Sequence, residues 1–146
     1  MITRLAGKRL ATAESVTGGG IGAALTAVPG ASAVYAGGII SYTDEVKHRL
    51  LGVPNDLLEK LGAVSGPVAQ AMAHGARAAL SADVAVSVTG LAGPDADRFG
   101  HSVGTVFIGY EDGENALFRE YHFSGSREQV REQTVDSALD LILEFN

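Results

Sequence analysis

The chain contains no cysteine. Disulfides, zinc–thiolate sites and a cysteine nucleophile are therefore excluded. Tryptophan is absent and aromatic residues make up 6%, so the stacking platforms that hold unpaired bases are missing. Basic residues are also few, 11 Lys and Arg against 17 Asp and Glu, for a formal net charge of −6. That argues against nucleic acid as a partner, because neutralising a phosphate backbone needs a basic surface. One small phosphorylated ligand is still allowed, since it needs only a few donors. No apolar run approaches the roughly 20 residues that span a bilayer. The N-terminus has no basic stretch followed by a long apolar one. A protein without membrane contact and in the cytoplasm is expected.

What is present points to an α/β fold. At 146 residues, 46% of them apolar, the chain can bury a core without cross-links, and one domain over residues 1–146 is expected. Its most informative stretch is Thr12-Ala13-Glu14-Ser15-Val16-Thr17-Gly18-Gly19-Gly20. Residues 9–13 before it read as a buried strand, and residues 18–28 read as a small-residue helix. A polar, glycine-rich turn between a strand and a helix sits at the edge where open α/β sheets hold ligands. Its glycines let backbone amides approach a ligand, and the helix N-terminus favours an anion. Ser15 is the candidate nucleophile. The competing reading is a plain turn whose Ser and Thr only cap the helix.

Pro29-Gly30 stops the first helix. Tyr35 to Tyr42 reads as a second strand, rich in β-branched and aromatic residues. Thr43 or Asp44 can cap a short helix that Gly52 ends, and another covers Pro54 to Gly62. Ser65 can cap a helix from about 67 to 80. Its Val68, Met72 and Ala76, with Ala69 and Ala73 beside them, form a core-facing stripe. Its alanines imply close packing and are compatible with a homodimer or higher homo-oligomer. Residues 83–88 form a third, central strand that enters Thr89-Gly90-Leu91-Ala92-Gly93-Pro94. Residues 95–102 read as loop. Residues 103–110 and 116–123 pair around Asp112-Gly113, and alternation in the latter marks an edge. Ser126 and Gln129 form a capping box for the last helix. Glu128, Glu132, Asp136, Asp140 and Glu144 recur every four residues and read as a solvated face, not a metal site. Helices between the first three strands favour parallel pairing with right-handed crossovers. The expected fold is a three-layer α/β/α sandwich with a mixed, mostly parallel sheet of about five strands.

Three polar segments follow the first three strands: Ser15–Gly20, Tyr42–Lys47 and Thr89–Pro94. Parallel strands would bring all three to one edge. Serine needs a base at neutral pH. His48, His74, His101 and His122 all lie away from the turn in sequence. Lys47 is the other candidate, and it must then be neutral part of the time, with a pKa well below about 10.4. A surface Lys47 in a helical ion pair is the alternative. The Walker and Gly-x-Gly-x-x-Gly patterns are not met at the first turn. Glu14 can orient Thr17 or a backbone N–H.

These residues also carry a resemblance. Thr12-Ala13-Glu14-Ser15-x-Thr17-Gly18-Gly19, Pro29-Gly30-x-Ser32, Ser41-Tyr42-x-x-Glu45-x-Lys47, Gly62-Ala63-Val64-Ser65, Ser87-Val88-Thr89-Gly90-x-Ala92-Gly93-Pro94 and Val103-Gly104-Thr105-Val106 resemble the C-terminal domain of the CinA (competence/damage-inducible) family. The resemblance covers nearly the whole chain. It implies hydrolysis of nicotinamide mononucleotide to nicotinate mononucleotide and ammonia in pyridine-nucleotide salvage. It assigns the nucleophile to Ser15 and the base to Lys47, with Tyr42 near them. Substrate contacts are expected from Thr17, Gly18, Gly19, Thr89, Gly90 and Gly93. A small nucleotide is the implied partner, and no metal or cofactor is implied.

Departures from the family pattern define an alternative. Val16 stands where the family has cysteine. The segment Arg98-Phe99-Gly100-His101-Ser102 replaces a Glu-Lys-Pro-like one, with Arg98 or His101 as stand-ins for the lysine. The leading helix is expected to be missing, and the separate nucleotide-hydrolase domain of full-length members is absent from these residues. The alternative is a catalytically degenerate nucleotide-binding or regulatory module of the same fold.

Overall fold

A computed structural model describes residues 1–146. Its elements are β1 (Leu10–Glu14), α1 (Gly20–Thr26), a short 3-10 turn (Ala31–Ala33), β2 (Tyr35–Ile40), α2 (Asp44–Leu51), α3 (Asn55–Leu61), α4 (Gly66–Ala79), β3 (Val84–Gly90), β4 (Thr105–Glu111), β5 (Ala116–His122) and α5 (Arg127–Phe145). The five strands form one sheet in the order β2-β1-β3-β4-β5. β1 pairs in parallel with β2 and β3, while β3–β4 and β4–β5 are antiparallel. Four strands thus run one way and β4 alone is reversed. The expected mixed, mostly parallel sheet is present.

The two faces are covered by different helices. Val84, Val86 and Val88 of β3 pack with Ile21 and Leu25 of α1 and with Val130, Ala138, Leu141 and Ile142 of α5. On the other face Ala11, Ala13 and Ala85 meet Leu51 of α2, Leu58 of α3 and Val68, Met72, Ala73 and Ala76 of α4. This is the three-layer arrangement. The alternation explains the split, since successive side chains of a strand point to opposite faces. β5 is exposed along most of its length, as an edge strand should be. No helix is long and apolar enough to cross a membrane.

The expected stripe on α4 faces the chain's own sheet and α2. Gly66, Val68, Ala69, Met72, Ala73, Gly75 and Ala76 are all buried. Its approach is very close. The Ser87 hydroxyl donates to the Ala69 carbonyl of α4, and a Cβ placed on Gly75 would lie 1.9 Å from the Leu51 carbonyl oxygen. The alanines therefore serve intrachain contact.

Boundaries moved by a few residues where glycine intervened. α1 starts at Gly20, after Gly18 and Gly19 take positive φ values of 57° and 106° to turn the chain out of β1. β3 runs two residues past the expected end, to Gly90, where it pairs with Val106. The capping box forms as expected, with Ser126 and Gln129 exchanging side-chain and backbone hydrogen bonds.

Gly75→Ala opposes two effects. Alanine gains about 1 kcal/mol of helix propensity over glycine, but overpacking against a backbone carbonyl costs about 1–3 kcal/mol. At 1.9 Å neither the carbonyl nor the methyl can move alone. A net loss of stability is expected, read as a lower urea midpoint. An unchanged or higher midpoint would show that α2 and α4 do not meet at this glycine.

Candidate active site

The C-terminal ends of β1, β2 and β3 lie side by side, with Glu14 registered against both Ile40 and Val88. The residues following them line one cavity of about 420 Å3, within the roughly 300–1,000 Å3 usual for small-molecule sites. Ser15, Val16, Tyr42, Lys47, Thr89, Gly90 and Gly93 all contribute to its wall, as do Ala63, Val64 and Leu91. The expected convergence of three polar segments is realised.

Lys47 is the least ordinary residue of this wall. It lies in α2, which Thr43 opens by accepting from the Val46 amide. The lysine is 1% exposed. Its Nζ contacts three oxygens: the Ser41 carbonyl at 2.8 Å, the Tyr42 carbonyl at 3.3 Å and Ser15 Oγ at 3.0 Å. A protonated amine donates to all three. A neutral amine keeps two N–H bonds to the carbonyls and turns its lone pair to the Ser15 hydroxyl. Burial pushes the Lys47 pKa down to about 8, although Asp44 nearby pulls it upward. The surface ion-pair alternative is thereby set aside: the ion pair on this helix is Arg49 with Glu45.

Ser15 is buried at the end of β1, its amide donating to the Val88 carbonyl. Its own carbonyl accepts from the Gly18 amide at 3.1 Å. The next amide, that of Val16, donates to no group of the chain. Glu14, immediately before Ser15, is buried and points the other way. Its carboxylate accepts from Thr17 Oγ1 at 2.5 Å, from the Ile21 amide at 2.8 Å and from the Gly22 amide at 3.0 Å. The first turn of α1 is thus capped from within.

Other expected residues fall elsewhere. Thr17, Gly18 and Gly19 shape the turn but do not line the cavity, because the Glu14 carboxylate draws Thr17 inward. The anion site expected at the start of α1 is occupied by that same carboxylate. The Tyr42 side chain is 62% exposed, and its hydroxyl meets Arg127 at 3.5 Å instead of Ser15 or Lys47. Thr89 lines the cavity while its hydroxyl donates to the Ala63 carbonyl.

Neither Arg98 nor His101 lines the cavity. Asp97 holds the loop together, accepting from the Phe99 and His101 amides and from the His101 ring at 2.7 Å. Burial raises the Asp97 pKa, but these bonds outweigh it and hold the carboxyl low. The remaining histidines contact the Val53 carbonyl (His48), Glu111 (His74) and Glu120 (His122). None approaches Ser15.

Arg127 is the residue that sequence reasoning missed. It lines the cavity from α5, donating to the Gly93 carbonyl and to Tyr42. A signal existed. Arg127 is the first residue of a helix, where the backbone dipole disfavours a cation.

The chain matches the family model for the CinA C-terminal domain over residues 2–146. It is 47% identical over 137 residues to the nicotinamide-nucleotide amidohydrolase PncC of Pseudomonas putida, covering 94% of this chain and 86% of that protein. It is 49% identical over 136 residues to a CinA-like protein of Parasynechococcus marenigrum; here it spans only 32% of the relative's length. Among solved structures, that of the competence/damage inducible protein CihA from Agrobacterium tumefaciens superposes with a TM-score of 0.94 at 39% identity, covering 98% of this chain and 89% of the other. The fold, the motifs around Ser15 and Lys47 and this match over almost every residue agree: the chain belongs to the CinA C-terminal domain family.

Proposed function

We propose that this chain is an amidohydrolase that converts nicotinamide mononucleotide to nicotinate mononucleotide and ammonia by a Ser15–Lys47 mechanism. The observation that carries the reading is the 3.0 Å contact between Lys47 Nζ and Ser15 Oγ in a cavity wall that buries the amine. Kinship with an enzyme named as a nicotinamide-nucleotide amidohydrolase supports the substrate.

In this reading Ser15 Oγ attacks the carboxamide carbon while neutral Lys47 takes its proton. The amide oxygen becomes negative and is stabilised by the free Val16 amide beside the nucleophile. Protonated Lys47 then gives its proton to the departing nitrogen, and ammonia leaves. An ester on Ser15 remains. Water, deprotonated by Lys47, hydrolyses it to the carboxylate and restores the serine.

The nucleotide's phosphate meets Arg127. Helix ends are the obvious rivals for that role, but α3 begins away from the cavity and the other four carry side-chain caps. Glu14, Thr43, Ser65 and Ser126 cap α1, α2, α4 and α5. The Arg127 guanidinium gives one bond to Gly93 and one to Tyr42, leaving further N–H groups of its fork for an anion. Tyr42 steadies the guanidinium. A second reading, nucleotide binding without turnover, draws support from one feature: within the altered 95–102 loop, Asp95 alone lines the cavity.

Ammonia release from nicotinamide mononucleotide is the direct test. Ser15→Ala should abolish it, and Lys47→Ala should lower kcat by about 10²–10⁴, the usual worth of a general base. Binding of the nucleotide by folded wild-type protein, with no ammonia released, would instead select the second reading.

The pH dependence follows from the lysine. Below about 8 most Lys47 is protonated and cannot accept a proton from Ser15, so kcat/KM should rise with pH and level off above that value. A flat profile between pH 6 and 9 would remove Lys47 as the base. For Arg127→Met, loss of a charged hydrogen bond worth about 1.5–3 kcal/mol should raise KM at least tenfold with little change in kcat.

A further inference from the structure

Arg131 lies one turn after Arg127 on α5 and does not line the cavity. Its guanidinium reaches the nucleophile turn from behind. Nε donates to the Val16 carbonyl at 3.2 Å, and a terminal nitrogen donates to the Thr17 carbonyl at 3.1 Å. Two adjacent backbone carbonyls are thus gripped by one rigid fork, a geometry that a lysine's single point charge cannot reproduce.

The position of those carbonyls matters because peptide units are planar and trans, so each C=O points away from the following N–H. The Ser15 carbonyl is held by the Gly18 amide at 3.1 Å, which fixes the peptide that carries the Val16 N–H. The Val16 carbonyl is held by Arg131, which fixes the next peptide. The two bonds set the planes on either side of the Val16 Cα. The two carbonyls that Arg131 grips differ in one respect. The Thr17 carbonyl also accepts from the Gly20 amide at 3.0 Å, whereas the Val16 carbonyl has no other partner in the chain. Removing the guanidinium therefore frees chiefly the plane next to the Val16 amide. The Glu14 cap and the Ser15–Gly18 bond still hold the rest of the turn.

We propose that Arg131 is a positioning residue, which by holding the Val16 carbonyl keeps the Val16 amide aimed at the oxygen that turns negative when Ser15 attacks. The assignment rests on the acyl-transfer reading above. It separates two arginines of one helix by role: Arg127 meets the substrate, whereas Arg131 acts through the backbone and never touches it.

The test compares the wild type with Arg131→Met, Arg131→Lys and Arg127→Met in steady-state ammonia release from nicotinamide mononucleotide, with folding followed by circular dichroism. Misplacing a transition-state contact costs on the order of 10²-fold, so Arg131→Met should lower kcat about 10–100-fold and leave KM within about twofold. Millimolar guanidinium ion should restore part of that kcat, while Arg131→Lys should fall between Arg131→Met and the wild type. Arg127→Met should show the opposite split, with KM raised. A folded Arg131→Met with wild-type kcat, or with only its KM raised, would overturn the assignment. Failure of both Arg131 variants to fold would also overturn it, making Arg131 a structural residue. Absence of ammonia release by the wild type would defeat the amidase reading itself, and this assignment with it.

Discussion

Lys47 Nζ sits 3.0 Å from Ser15 Oγ with almost no access to water, so its charge has to be carried by protein dipoles. An isolated buried ammonium would cost several kcal/mol. The Ser41 and Tyr42 carbonyls reduce that cost, because they face the amine from the end of β2. Those carbonyls are in place because β2 runs parallel to β1, with the Ser41 amide donating to the Glu14 carbonyl at 2.8 Å. Sheet pairing thus fixes the acceptors, the acceptors fix the amine, and the amine faces the serine. A surface lysine, titrating near its ordinary value of about 10.4, would hold a far smaller neutral fraction.

The helices complete the site in ways that run against their own preferences. Arg127 occupies the first helical position of α5, and Lys47 lies in the first turn of α2. Both are places where the helix dipole disfavours a cation. Local rules are broken most readily at functional positions. In their capping the same helices obey the rules. Glu14, Thr43, Ser65 and Ser126 each cap a helix N-terminus with a side-chain oxygen. The Glu14 carboxylate has a second consequence: by drawing Thr17 and the start of α1 together, it stiffens the turn that carries Ser15.

Much of this was legible from the residues in order. The alternation of Val84, Val86 and Val88 with Ala85 and Ser87 identifies a strand covered on both sides, and the α4 stripe of Val68, Met72 and Ala76 identifies a helix laid on it. Gly18-Gly19 marks the turn after β1, and Ser126 with Gln129 marks the start of α5. These are local signals, set by dihedral freedom, capping and periodicity within a few residues. The gathering of Ser15, Tyr42, Lys47 and the 89–94 segment follows from them once the strands are parallel.

Contacts between distant parts of the chain were not legible. Arg127 lies 85 residues from Tyr42, and Arg131 lies 115 residues from Val16. Nothing in the sequence around α5 tells which turn of the molecule its arginines will meet. Gly18 and Gly19 looked like ligand-binding glycines because such turns often are, yet the Glu14 side chain faces α1 and closes that side. Loop 95–102 offered Arg98 and His101, but Asp97 captures the histidine and neither side chain lines the cavity. From the residues alone came the helices, strands and turns, and Ser15 and Lys47 as candidates, because capping, periodicity and dihedral freedom act within a few residues. Packing alone sets the lysine, dehydrated, against the serine and turns Arg127 to the cavity. Burial and long-range hydrogen bonds are properties of packed surfaces, not of neighbours along a chain.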